Sequence, residues 1–191
     1  MMGAFEHVIS LLSFVFALAI AHLLLTVAGF VRAWERVRFS WPHALWLLNG
    51  LIAVLANWIS FWDMRTLTEW SIGIILLTFV LALVTYMQVA LVCPEIPAEG
   101  PIDLEKFHAE QSPRYIGAFA VTCVVVLFAN VLFGAGLNVA EWNQQNLAVV
   151  PMLVAALSAI FLRNRVVQLA APLALMAIWV AYFTFMQAAL K

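Results

Sequence analysis

Apolar residues in this chain come in long unbroken runs, without the strict alternation of a half-buried strand or the narrow stripe of a soluble helix. Runs that reach the roughly 17–25 residues needed to cross a bilayer cover about Phe5–Val31, Trp41–Trp62, Trp70–Cys93, Tyr115–Val139, Asn146–Leu162 and Val166–Leu190. They predict an all-α bundle of six transmembrane helices, forming one transmembrane domain over residues 1–191. Pro42 and Pro151 fall in first turns, where proline is tolerated, and Pro172 predicts a kink two turns into the sixth run. The connections are short except Pro94–Arg114, which holds four prolines and half of the acidic residues. Asp103 is placed there to cap a brief amphipathic helix that offers Leu104 and Phe107 to the membrane surface.

Polar positions inside the runs fall into stripes. The second run carries Asn49, Ala53, Ala56, Asn57, Ser60 and Asp63, at steps of three and four that share a helix face. The third carries Ser71, Thr78, Ala82, Thr85 and Gln88, the fourth Asn130 and Gly134, and the sixth Ala177, Ala181, Thr184 and Gln187. In the first, His22 lies near mid-depth on a face shared with Val15, Ala19, Thr26 and Gly29. That small, slightly polar face is expected to turn inward, as are Asn49 and Asn57. An ionisable side chain at that depth is by default a functional candidate. The predicted polar intramembrane path is therefore His22, Asn49, Asn57, Thr78, Thr85, Gln88, Asn130 and Gln187.

Composition agrees with lipid as the solvent. The chain is 66% hydrophobic and 10% charged, against about 25% charged in a soluble domain, and its mean hydropathy is +1.04. A net charge of −1 gives no reason to expect a nucleic-acid partner. Met1–Glu6 has no Lys or Arg and the run after it exceeds a signal-peptide core, so the first helix is read as retained. Arg32, Arg36, Arg38, Lys106, Arg114, Arg163 and Arg165 follow the odd helices, whereas Arg65 and Lys191 alone lie on the other side. The positive-inside rule then puts the odd connections in the cytoplasm and both termini outside. An internal repeat is also suggested: Thr85–Leu91 and Thr184–Leu190 agree at five of seven positions, and repeating three-helix units would make a 3+3 inverted repeat.

Catalytic and cofactor chemistry finds little footing. A retinal Schiff base needs a lysine within a helix, and Lys106 and Lys191 lie outside. A b-type haem needs histidines at matching depth, and His7, His22 and His43 sit at three different depths. Cys93 and Cys123 form no metal knuckle, and Glu105, His108 and Glu110 read as a solvated loop face. No cofactor, no metal and no enzyme activity are expected.

Arg32–Arg38, Trp41-Pro42-His43 and the stretch from Cys93-Pro94-Glu95 to Asp103-Leu104 resemble a group of small bacterial polytopic membrane proteins with no assigned activity. That resemblance implies the bacterial inner membrane and no particular function. Val15–Ile20 is similar to part of helix one of bacterial endolysosomal-type potassium channels. Ser13 and Phe14 stand where those proteins carry Asp and Gly. The stripes point to a small channel or transporter for an ion or solute. The alternative is a structural or accessory membrane subunit, as a homo-oligomer or beside a partner subunit in the bilayer.

Overall fold

The computed structural model describes residues 4–67, 70–133 and 146–189. Six α-helices follow one another among them: α1 (Ala4–Arg32), α2 (Trp41–Ser60), α3 (Ile72–Val92), α4 (Leu104–Phe133), α5 (Val149–Phe161) and α6 (Arg165–Ala189). All but α5 are long and apolar enough to cross a membrane. At 13 residues α5 spans roughly 20 Å, short of the ~30 Å hydrocarbon core. Large apolar side chains such as Phe14, Leu25, Ile72, Val154 and Val180 cover the outside of the bundle. In water such a surface would aggregate; in lipid it is matched to its solvent. This is the architecture of a multi-pass membrane protein.

Helix starts follow their capping residues. Ser40 Oγ accepts the His43 amide at the head of α2, with Pro42 in the first turn, and Ser71 Oγ accepts the Ile74 amide at the head of α3. Asn164 Oδ1 accepts the Val167 amide at 2.8 Å, starting α6. Asp103 Oδ1 accepts the Lys106 amide at 2.9 Å, so it does cap a helix. That helix is not a brief surface one, however. It runs without a break through Pro113 into the fourth span, and Leu104 and Phe107 pack inward on the core. The expected surface helix is thus corrected to an extra three turns of α4. A proline removes one N–H without forbidding the turns on either side when packing holds them.

α2 is the most enclosed spanning helix and packs on α1, α3 and α6, with a smaller contact to α4. α3 also packs on α1 and α4, and α5 sits between α4 and α6. The odd connections meet at one end. Between α1 and α2, strand β1 (Val37–Arg38) pairs in parallel with β2 (Ile102–Asp103), which lies just before α4. Arg36 donates to the Gly100 carbonyl at 3.0 Å, and Arg38 bridges Asp103 at 3.2 Å and Glu105 at 2.8 Å. Residues 93–103 form a strap across this arginine-rich end. Gly29 admits it, since Ile96 Cδ1 occupies the place a Cβ at residue 29 would take.

The two three-helix halves are not packed alike among the described residues. α1 lies along α3, whereas α4 and α6, the corresponding pair, barely meet. The suggested repeat is not visible in the helix packing.

Candidate functional site

The polar stripes of α2 and α3 face each other and form a seam. At its arginine-rich end, fully buried His43 donates from Nε2 to the Val92 carbonyl at 2.8 Å. Val92 is the last residue of α3, where carbonyls lack helical partners, so the imidazole caps that helix. Further along, the side chains of Gln88, Val89 and Val92 lie over Gly50, at 3.7–4.0 Å from where its Cβ would stand. Asn57 Nδ2 then donates to Thr85 Oγ1 at 3.2 Å, and Thr85 Oγ1 donates to the Leu81 carbonyl at 2.7 Å. Thr78 bonds to the Ile75 carbonyl at 2.9 Å. Asn49 turns to the other side of α2, where its amide reaches the Leu45 carbonyl at 2.8 Å and the Pro172 carbonyl at 3.1 Å. It thereby ties α2 to the proline turn of α6.

A second cluster lies beside the strap. Tyr115, on α4, donates its hydroxyl to His108 Nδ1, two turns earlier on the same face. His108 Nε2 meets Gln168 Oε1 at 3.0 Å, and Gln168 Nε2 donates to the Ala159 carbonyl at 2.7 Å. The last bond fixes the amide's orientation, which makes His108 Nε2 a donor and Nδ1 an acceptor. One directed chain therefore links α4, α6 and the carbonyl end of α5. Phe107 stands edge-on to His43 at 5.3 Å, and Trp46 packs against Tyr115 and Phe119.

Outside the spans, two ionisable groups are tuned. The Lys106 amide, and secondarily Arg38, hold the Asp103 carboxyl below its ordinary range, and burial pushes the Cys93 thiol up.

The predicted path is only partly assembled. Asn49, Thr78, Thr85 and Gln88 are buried, and Asn57 is half-buried within the seam. Asn130 pairs away from it, donating to Asn146 Oδ1 at 3.0 Å. The side chain of Gln187 lies outside the described residues, as does Gly134. Ala177, Ala181 and Thr184 of the α6 stripe are exposed. The clear correction is His22, whose side chain is exposed on the outer surface of α1. Ala19 and Thr26 of the expected face do turn inward, together with Val8, Leu12, Phe16 and Leu23. In lipid neither face is driven inward by water, so side-chain shape sets the rotation and one polar residue does not.

His43, His108, Tyr115 and Gln168 were not among the predicted site residues. His108 is buried, correcting the solvated-face reading, while Glu105 and Glu110 are exposed. Its seven-residue spacing to Tyr115 marks a shared helical face once α4 is known to begin at Leu104. Two surface clefts, of about 300 and 310 Å³, are lined by none of the predicted path residues. Among the described residues, no group of His, Cys, Asp and Glu is placed to hold a metal ion. No family model, curated protein or solved structure was found to match the chain.

Proposed function

We propose that this chain is a non-catalytic membrane subunit whose buried polar residues hold its helices in register, rather than a channel or transporter with a path of its own. The observation that carries this reading is the relay Asn57 to Thr85 to the Leu81 carbonyl. Asn49, Asn57, Thr78, Thr85 and Asn130, all expected to line a path, bond instead to each other, to Asn146 and to helix backbone, as interhelical glue does. The resemblance of the Arg32–Arg38, Trp41–His43 and Cys93–Leu104 stretches favours the bacterial inner membrane. The arginine-rich end then faces the cytoplasm, with both termini outside.

Transport is the second reading, and one observation favours it. His43 Nδ1, Trp46 Nε1, Asn49 Oδ1 and Gln88 Oε1 are buried without a hydrogen-bond partner. Water entering along α2 would satisfy them. Purified protein in proteoliposomes separates the two readings: flux no greater than in empty vesicles, over a panel of ions and small solutes, is expected. Selective flux abolished by Asn57→Leu would overturn the subunit reading.

A further inference from the structure

The outward face of α1 carries a regular pattern that the other described residues leave largely uncovered. Leu11, Leu18 and Leu25 recur every seven residues and are 55%, 62% and 71% exposed. Half-buried Val15 and exposed His22 lie three residues before the second and third leucines. That is a heptad with leucine at one seam position and Val15 and His22 at the other, the spacing that packs two parallel helices knobs-into-holes. His22 lies ten residues from Arg32 at the helix end, roughly 15 Å at 1.5 Å per residue, which is half of a ~30 Å hydrocarbon core. An imidazole there, facing lipid, leaves its ring nitrogens unbonded at a cost of several kcal/mol.

We propose that the Leu11–Val15–Leu18–His22–Leu25 face of α1 pairs with the same face of a second copy of this chain. Two physical points select that occupant. All copies insert with the same orientation, so two α1 helices related by a two-fold axis along the membrane normal run parallel, with His22 opposite His22. A neutral imidazole has one N–H and one bare nitrogen, so a single N–H···N bond joins the two rings across the axis at the depth where both copies place them. The single polar position fixes register, as a buried polar residue does at one seam position of a coiled coil. Lipid offers the ring nothing at that depth, and a different protein would need a polar group of its own placed to meet it.

Disulfide trapping in native membranes tests the pairing. With Cys93 and Cys123 replaced by alanine, Leu18→Cys and Leu25→Cys are expected to form dimers on mild oxidation. Leu24→Cys, exposed on the opposite side of α1, is expected to remain monomeric. In bilayers His22→Leu is expected to weaken dimerisation about tenfold, the scale of one interhelical hydrogen bond, and His22→Asn to retain most of it. Absent dimers at 18 and 25, dimers equally strong at 24, or capture of a protein of different mass would each overturn the proposal. So would undiminished dimerisation of His22→Leu. Should that variant fail to fold, the trapping pattern with His22 intact still decides. The pairing holds whether or not the chain conducts, so trapping and flux fail separately.

Discussion

Several of the contacts between helices in this bundle turn on single polar atoms. Tyr115→Phe leaves His108 Nδ1 buried without its donor. The expected loss is about 1–3 kcal/mol of stability, read as a lower unfolding temperature in detergent. Gln168→Leu breaks two bonds and uncaps α5, so the loss is expected to be at least as large. Asn57→Leu and Thr85→Val form a milder pair. Their double-mutant cycle is expected to show coupling of about 0.6 kcal/mol, the mean for side-chain hydrogen bonds between membrane helices; no coupling would mean that the 3.2 Å contact is not maintained in the bilayer. At this scale the sequence was legible where two helices each carried polar residues, as with Asn57 and Thr85. It failed at His22, because one histidine among leucines, valines and alanines does not set a helix rotation. It also failed at His108, because Pro113 hid the helical face shared with Tyr115 and because Gln168 lies 60 residues away on another helix.

The helices themselves were legible because hydrocarbon tolerates only closed backbone hydrogen bonding. The predicted starts at Trp41 and Trp70 lie within two residues of α2 and α3. The error at α4 came from treating Pro113 and the charges around it as a boundary. Asp103 sets the true start and gives that element a dependence on acid. Its carboxyl is held below the usual range by the Lys106 amide and by Arg38, so its contribution is present above the unfolded-state pKa of about 3.9. It is lost as pH falls through the lower folded value. Below about pH 4 the first turn of α4 and the β1–β2 pair are expected to loosen together. Hydrogen exchange at the Lys106 amide checks this, with Asp103→Asn showing the loosened behaviour already at neutral pH. The exposed Arg38 bridges are expected to add little.

For the whole molecule, the charge count anticipated which connections share an end. The strap, the Arg38 bridges and the His108–Gln168 bond gather the three odd connections there. Which end faces the cytoplasm is settled by labelling a single cysteine at residue 191. Modification by an impermeant reagent from outside is expected; protection in intact cells would reverse the orientation. The folded arrangement was less legible than the helices, since nothing in the hydropathy showed that α2 would lie among α1, α3 and α6 while α5 stayed on the flank.

The parallel pairing of Val37–Arg38 with Ile102–Asp103 also bears on biogenesis. Between those dipeptides the chain must cross the bilayer on α2 and return on α3. Should either helix fail to insert, the two dipeptides emerge on opposite sides of the membrane and never meet. Closure of the strap therefore reports that an even number of crossings has been completed. A chain that has not closed the strap leaves the Gly29 surface of α1 uncovered by Ile96.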